Sequence, residues 1–572
     1  MIIVKLKGGL GNQMFQYALG RRLSLERRVS LKLDLDWFTI QDKRLFELDQ
    51  FNIPSDLLLP EYSYKLPPFS RDPKISDIYN KIENSFPKGL RFVIKEENAG
   101  KIDNSIFHSM GSKYLKGYWQ SEKYFETIKS QIRADFTLRQ PLAPQDQALV
   151  DEMSANPRSV SMHVRRGDYV TDFKIIKSQL ICTPDYYIET MRLMKEKLGD
   201  GVVFYVFSDD PDWCRKGVDY PSDFKIVSDE YRSASHELVM MSRCRNAIMA
   251  NSSFSWWGAW LNKETKNIVI YPAKWIYNHN TPDIPLDNWI AFQHSTKNDK
   301  EYIDIPYIKS RYLWRLKAEI NLDEPQRFTE KLQWLKIYSR KPIYTALADK
   351  VAVRDYVAEK IGSQYLTKAY GIYEKSSEIA WDKLPNKFVL KANHGSKWVI
   401  RCTNKKSLDK KRTCQKLDNW LKSNYYFSAR EWQYNNISPK ILIEEFLEGD
   451  KTLGLLDYKV WCFNGKPKYI EVFADRFTSI KSAFYDLDWV KLSEKVTYPM
   501  IVKEIPRPVQ LDEMIEIADS LADGIPFVRV DLYNFSNRIV FGEMTFTPVS
   551  GFLGIEPESF DYFLGQELKL PR

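Results

Sequence analysis

From residue 1 to about residue 290 the chain alternates short β-rich runs with helical stretches, and this alternation restricts the fold more than any other feature. Strands joined through helices run parallel, so this portion reads as an α/β protein with parallel sheets. The candidate strands are Ile2–Leu6, Val29–Leu35, Val160–Val164, Val202–Phe207, Lys225–Val227, Asn246–Ala250 and Ile268–Tyr271. Between Pro54 and Asn104 the alternation lapses, with Pro67-Pro68 and several turn signals, so this stretch reads as an insertion or an acceptor-side surface. The polar, aperiodic His294–Lys300 reads as an inter-domain linker. A chain of 572 residues exceeds one ordinary core, and two or three domains are expected.

Beyond the linker the style changes. Helical text from Phe328 to Gly362 precedes β-rich text with a hairpin, Asp457–Phe463 and Lys468–Ala474 around the turn pair Asn464-Gly465. The net charge of +9 has no basic block, so no nucleic-acid partner is expected; a mild cationic excess favours anionic substrates or an anionic membrane surface. The six cysteines lie far apart and read as reduced thiols, neither a disulfide frame nor a zinc site. The N-terminus enters a strand pattern at once, leaving no room for a signal peptide, and no run of about 18 apolar residues suggests a spanning helix. A cytoplasmic protein is expected, peripheral to the inner face of a membrane at most. The 16 Trp and 33 Tyr suit sugar stacking, though aromatic-rich cores are the commoner use.

Three polar loops each follow a candidate strand. After Val160–Val164 comes Arg165-Arg166-Gly167-Asp168-Tyr169: two adjacent guanidiniums can grip a diphosphate bidentately, or form surface salt bridges instead. After Val202–Phe207 comes Ser208-Asp209-Asp210-Pro211-Asp212, whose carboxylates suit ribose hydroxyls or a metal, with capping of the helix at Pro211 the more frequent use. After Asn246–Ala250 comes Asn251-Ser252-Ser253-Phe254, a helix start offering hydroxyls and N–H groups to an anion, or plain N-capping. Ligands of open α/β sheets bind outside the carboxyl ends of the strands, so the three loops together read as a nucleotide-diphosphate site. The rival is a dinucleotide fold using Gly9-Leu10-Gly11 with Asp34 and Asp36; Met14 stands where that fingerprint needs a small residue, which counts against it.

Four strings in this order, GGLGNQMFQYALG (8–20), HVRRGDYV (163–170), FSDDPDWC (207–214) and NSSFSWWGAWL (251–261), resemble glycosyltransferase family 11, the α-1,2-fucosyltransferases. The resemblance covers about residues 1–295. It implies a GT-B fold of two Rossmann-like halves, GDP-fucose as donor, a galactoside-type glycan as acceptor (lipid-linked forms included), and no obligatory cofactor. By position it implies Arg165 on the donor β-phosphate, His163 beside the nucleotide, Ser252 and Ser253 in the phosphate loop, and Glu237 reading guanine. Gly11, Asn12, Arg166, Asp209, Asn251 and Phe254 complete the candidate donor site. Inversion at the anomeric carbon needs one displacement and a carboxylate to take the acceptor proton. Asp168 is the first candidate and Asp172 the second, while Asp168 also suits a structural role shaping the RRGD loop.

In the C-terminal half, Phe388–Leu390 runs into Lys391 and the small-residue loop Ala392–Ser396, so Lys391 can neutralise nucleotide phosphates or lie as an exposed loop lysine. Ile441–Phe446 carries Glu444 and Glu445. The strands Phe527–Tyr533 and Ile539–Phe546 would pair antiparallel and bring Asp531 near Glu543, a carboxylate pair suited to Mg2+, or two ordinary strand-face charges. The strings FTEKLQWLKIY (328–338), DKVAVRDYV (349–357), FVLKANHGS (388–396), DYKVWCFNGKPKYIEV (457–472), FVRVDLY (527–533) and FGEMTF (541–546) resemble the TupA-like branch of the ATP-grasp superfamily. The match spans about residues 300–572 and implies an α+β domain using ATP and Mg2+ for carboxylate–amine ligation. Lys350 and Lys391 would hold the phosphates, Glu444 or Glu445 the adenine hinge, and Asp531 with Glu543 the metal. Departures at Lys397-Trp398, Thr545 and Val549 keep open a catalytically inactive nucleotide- or glycan-binding module.

Overall fold

The parallel alternation resolves into two sheets, both within the first of two units into which the chain divides: Met1–Val170 with Gln179–Asp299, and Thr171–Ser178 with Lys300–Arg572. The computed structural model describes residues 1–571 except 41–43, 59–72, 177–178, 180, 217–219, 222, 230, 264–265, 277–280, 294–299, 449–454, 475–479 and 536–537.

The first sheet holds β1 (Ile2–Lys5), β2 (Leu31–Asp34), β3 (Val93–Lys95) and β4 (Lys113–Lys116), all parallel, in the order β2-β1-β4-β3. The second holds β5 (Ser159–Val164), β6 (Val203–Ser208), β7 (Phe224–Ile226), β8 (Asn246–Ile248), β9 (Val269–Pro272) and β10 (Ile290–Phe292), in the order β10-β9-β8-β5-β6-β7. All of its pairings are parallel too. β5 is buried along its whole length, as a central strand covered on both faces must be. The chain leaves β5 toward β6 and β7, then returns to place β8 on β5's other side. The strand order therefore reverses between β5 and β8, and a crevice opens there at the carboxyl edge.

Helix α1 (Leu10–Arg27) and helix α2 (Ser253–Leu261) share one core with the first sheet. Trp256, Trp257 and Trp260 of α2 are buried against Phe15 and Phe125, with Phe125 stacked 5.3 Å from Trp257, so this aromatic wealth is core. The expected strand Val29–Leu35 shortens to Leu31–Asp34 because Arg28 closes α1 in a left-handed cap. Part of the stretch expected as an insertion is sheet: Val93–Lys95 is an edge strand, three residues long and polar at one end, too short to show alternation. The expected linker lies outside the described residues except at Lys300.

In the second unit the helical text divides into α3 (Phe328–Tyr338), α4 (Pro342–Ala348) and α5 (Val353–Lys360), since Pro342 starts a new helix after Ser339–Lys341. One antiparallel sheet takes β11 (Ala369–Tyr373), β12 (Phe388–Ala392), β13 (Val399–Cys402) and β14 (Ile441–Glu445) in the order β11-β14-β12-β13. A second takes β15 (Asp457–Phe463), β16 (Lys466–Ala474), β17 (Lys481–Tyr485), β19 (Phe527–Phe535) and β20 (Arg538–Thr545) in the order β17-β16-β15-β19-β20. β18 (Lys495–Val496) pairs with β21 (Ile555–Glu556). The β15–β16 hairpin turns on Asn464 and Gly465, both at positive φ (50° and 79°), as a two-residue turn of this hand requires. Thr171–Ser178 includes a short helix, Phe173–Ile176. Phe173 N–H donates to Ser310 Oγ at 3.0 Å, its ring lies 4.9 Å from Trp314, and Arg430 donates to the Ile176 carbonyl at 2.7 Å.

The cysteines are all free, and all but the half-buried Cys414 are buried. Among the described residues no helix is long and apolar enough to cross a membrane.

Candidate functional site

The loops after β5 and β8 flank the strand-order reversal. β5 ends at Val164, and the next two residues are the arginine pair. Arg165 donates from Nη1 to Asp209 at 2.5 Å and also pairs with Asp168. The second oxygen of Asp168 takes Arg44 at 2.8 Å. Arg166 N–H donates to Asp209 (2.8 Å), its Nε to Asp210 (3.0 Å), and its guanidinium stacks 3.9 Å from the Trp213 ring. A Cβ on Gly167 would lie 2.4 Å from Asp209 Oδ2, so only glycine lets that carboxylate close on the loop. The arginines are thus held by the acidic loop after β6, which is the salt-bridge use of the pair; an anion entering the crevice would compete with those carboxylates for them.

The acidic loop also caps, as the more frequent use of such residues suggested. Ser208 Oγ accepts Asp210 N–H (3.0 Å), and Asp210 Oδ1 accepts Trp213 N–H (3.1 Å) at the start of helix Pro211–Lys216. Asp172 caps as well: Oδ1 accepts Lys174 N–H at 2.9 Å, and the residue belongs to the second unit.

The third loop begins α2. Asn251 is buried; its amide donates to Trp275 O (3.0 Å) and accepts from Cys182 Sγ (3.8 Å), so its side chain braces the loop. Ser252 is the N-cap of α2 without a side-chain cap bond, and Ser253 and Phe254 follow in its first turn. Here α1 crosses: a Cβ on Gly11 would lie 2.4 Å from Phe254 N and 2.5 Å from Ser253 C, and Trp257 Nε1 donates to Gly11 O at 3.0 Å. Two helix N-termini, one from each half, therefore meet where the positive ends of their dipoles add. Asn12, one residue on, accepts from Gln120 Nε2 at 2.8 Å. Tyr169 OH donates to Asn251 O at 3.0 Å, joining the arginine loop to α2's start.

His163 is buried beside this crossing, its ring 5.4 Å from Phe254, with Nδ1 lacking a partner among the described residues. Burial, and then the Arg165 charge, push its pKa down to about 3, so it is a neutral imidazole at working pH. Glu237 lies in helix Ala234–Met241 and is pushed up to about 7, chiefly by burial, with a Ser228 hydrogen bond and Arg232 opposing. Arg44 and Tyr169 escaped the sequence reading of roles. Tyr169 stood in a quoted motif, whereas Arg44 lies in a segment with no periodicity and gave no signal.

In the second unit Lys391 on β12 pairs with Glu444 on the adjacent β14, and Glu444 also accepts from Thr367 Oγ1 at 2.9 Å. Glu445 takes Arg538 at 3.1 Å. Lys350, lowered mainly by burial, donates to Gly395 O at 2.8 Å and lies 3.8 Å from Glu543. Trp398, at the departure from a Gly/Ser-rich loop, packs on His394, Trp420 and Tyr425. Asp531 and Glu543 are direct cross-strand partners, as expected. Unexpected is the cage around Asp531: Arg529 donates to both its oxygens (2.7 and 2.8 Å), and Lys459 bridges Asp531 and Asp457, 2.8 Å from the latter. Glu471 on β16 is pushed up to about 7 by burial, with Arg529 and Lys459 opposing.

The donor set of Asp531, Glu543 and Thr545 is hard oxygen on two adjacent strands, the chemistry Mg2+ accepts when nucleotide phosphates and water complete its shell. Among the described residues no group of three or more histidine, cysteine, aspartate or glutamate residues is placed to hold a metal ion.

Two parallel α/β halves give the N-terminal unit a GT-B fold, and the paired antiparallel sheets of the C-terminal unit form an ATP-grasp fold. The glycosyl transferase family 11 model matches residues 1–293, and the chain belongs to that family. The TupA-like ATPgrasp model matches residues 330–569. Relatives include an alpha-1,2-colitosyltransferase of Escherichia coli, 35% identical over 305 residues that cover 51% of this chain and 99% of that protein. The O-antigen biosynthesis glycosyltransferase WbnK of Escherichia coli is 30% identical over 306 residues, 50% of this chain and 98% of that one. A galactoside 2-alpha-L-fucosyltransferase of Caenorhabditis elegans is 28% identical over 286 residues, 47% of this chain and 71% of that protein.

Proposed function

We propose that residues 1–295 transfer L-fucose from GDP-fucose, with inversion, to the 2-hydroxyl of a galactoside-type acceptor, and that residues 300–572 act as an ATP- and Mg2+-dependent carboxylate–amine ligase in tailoring the same class of polysaccharide. The observation that carries the first part is the meeting of α1 and α2 N-termini beside the arginine loop at the strand-order reversal. In the displacement the acceptor O2 bonds to the anomeric carbon, the bond to the diphosphate oxygen breaks, and GDP leaves with the electron pair. Arg165, turned from Asp209 and Asp168 to the β-phosphate, stabilises the growing negative charge. That turn frees one oxygen of Asp168 to take the acceptor proton. Neutral His163 packs beside the nucleotide, and Glu237 accepts from guanine.

The test uses the full chain with GDP-fucose, GDP-colitose and galactoside acceptors, following GDP release. Arg165→Ala should lower turnover about 10^2- to 10^3-fold. Undiminished turnover would remove the leaving-group role, and turnover with GDP-colitose alone would replace the donor.

For the C-terminal unit, Lys350 and Lys391 would meet the nucleotide phosphates, Glu444 or Glu445 the adenine, and Asp531 with Glu543 the Mg2+ that links phosphates to protein. The cage on Asp531 favours a second reading, a nucleotide-binding module without turnover, because two fixed cations occupy the carboxylate the metal needs. ADP release on adding uronate and amine substrates supports the ligase; Mg·ATP binding without ADP release supports the module.

A further inference from the structure

The positive charge of the chain is concentrated in one stretch of the second unit. Residues 397–422 hold nine Lys or Arg and two Asp, a net of +7 against +9 for the whole chain. The expected absence of a basic block fails here, because these cations are interspersed with apolar residues in groups of three at most. They lie on and around β13, the turn Lys405–Ser407 and a further helix, α6 (Lys410–Leu421). Asp409 caps α6, its carboxylate accepting Arg412 N–H at 2.9 Å. Leu417 is buried with Phe388 and Leu390 of β12 and with Ile441 and Ile443 of β14. Those strand residues alternate with Lys391 and Glu444, so α6 covers the sheet face opposite the one that carries this lysine and glutamate. The outward stripe of α6 is Lys411, Arg412, Gln415, Lys416 and Asn419, all exposed and none apolar.

These cations are not neutralised within the fold. Lys397, Lys406, Lys410, Lys411, Arg412, Lys416 and Lys422 are exposed, and their side chains make no ion pair or hydrogen bond among the described residues. Lys410 and Lys416 lie only over the rings of Trp381 and Trp420, at 6.0 and 5.1 Å. The set is built for attraction and not for selective recognition. All but Arg412 are lysines, point charges without the planar fork that grips one phosphate bidentately. Trp381 and Trp420, the rings that could stack on a base or a sugar, are half-buried beneath those ammonium groups. The recess beside α6, about 400 Å3, includes Asp409 and the apolar Ile400 and Leu408 in its lining, so a polyanion threaded through it would meet a carboxylate. What remains is a diffuse positive field along a helix about 18 Å long, and a plane of anionic headgroups matches it. No large apolar side chain within residues 397–422 is exposed, so the contact is adsorption without insertion.

We propose that α6 and its flanking lysines dock the chain on a bilayer surface rich in anionic phospholipid, held by charge alone. The docking depends on neither activity proposed above. It turns the Lys391–Glu444 face of the sheet away from the lipid.

The test is co-sedimentation of the full chain with vesicles of equal parts phosphatidylglycerol and phosphatidylcholine, and with phosphatidylcholine alone. Wild type should bind only the anionic vesicles and be released between about 0.1 and about 1 M salt, as the Debye length falls from about 10 to about 3 Å. Each cation near such a surface strengthens binding about fivefold, so Lys411→Gln, Arg412→Gln and Lys416→Gln together should weaken it roughly 100-fold. Lys397→Gln, Lys406→Gln and Lys422→Gln together should weaken it similarly; they lie outside α6 and report even if the first triple unsettles that helix. Arg192→Gln, Lys195→Gln and Lys197→Gln remove equal charge from exposed positions of the helix Pro184–Leu198 in the first unit, and should leave binding nearly unchanged. No binding to anionic vesicles, equal binding to neutral ones, or persistence at the higher salt overturns docking by charge. Equal losses in all three triples, or no loss in the first two, overturn the placement on α6. Sedimentation with a polyuronate and with an RNA homopolymer completes the test: if wild type takes up either one and leaves anionic vesicles unbound, the lipid surface is overturned.

Discussion

The two units carry their charges in opposite ways. In the N-terminal unit the arginines and their carboxylates sit in loops beyond the ends of parallel strands, where Arg165, Asp168 and Asp209 keep part of their surface in water. In the C-terminal unit Lys459, Asp457, Arg529 and Asp531 lie within adjacent antiparallel strands and are almost wholly buried. Loop charges exchange partners at little cost, which suits the proposed release and recapture of a diphosphate there. Strand charges are fixed by the ladder, and removing one leaves its partner uncompensated in a poorly solvated interior. The first arrangement lets charge pairs re-form, and the second locks them in place.

The largest test of that contrast is Lys459→Met. It should lower the stability of the C-terminal unit by about 3 kcal/mol, near the low end for a broken buried pair because Arg529 remains on Asp531; a shift in chemical denaturation of a few tenths would place Lys459 among the exchangeable charges. Arg165→Ala should show the reverse signature, loss of GDP release with little change in unfolding. Gly11→Ala should come next, at roughly 1–3 kcal/mol for forcing a methyl between two helix starts, together with weaker GDP binding. Retained stability and affinity would mean that α1 and α2 can separate without harm.

The smallest effect is a pH dependence. Glu237 is raised to about 7, so it is protonated in the free protein below that value. Only the ionised carboxylate accepts from both guanine N–H donors, so GDP affinity should climb as pH rises through about 7 and flatten in Glu237→Gln. Stability runs the other way: the folded state holds the proton more tightly than the unfolded chain, so this group's contribution, full below about pH 4.5, is lost as pH rises to about 7. His163, lowered to about 3, stays neutral in the folded protein and should add no inflection to GDP affinity between pH 5 and 9, while its burial makes stability rise with pH up to about 6.5.

Much of this was legible beforehand. The polar loops after β5, β6 and β8 follow apolar runs that only a covered parallel strand explains, and Asn464-Gly465 specifies its own hairpin. Asp531 opposite Glu543 followed from two strands and a short connection. The cage on Asp531 did not, because β15 and β19 are neighbours in space but far apart in the chain, and nothing local in Lys459 announces that partner. The strands Val93–Lys95 and Lys113–Lys116 are too short for a period, so neither had a linear signature. The contact of Gly11 with Phe254 likewise belongs to tertiary packing, and a glycine chosen for a close approach looks in sequence like one chosen for a turn.

Thr171–Ser178 carries a practical consequence. These residues follow the arginine loop directly in the chain, yet Phe173 and Ile176 are held by Ser310, Trp314 and Arg430. A single cut near residue 295 would strip that internal segment of its partners and leave its Phe173 and Ile176 uncovered, starting three residues after Asp168. Fragment expression is therefore a poor way to dissect this chain: each unit is better tested by silencing its site in the whole chain than by severing it.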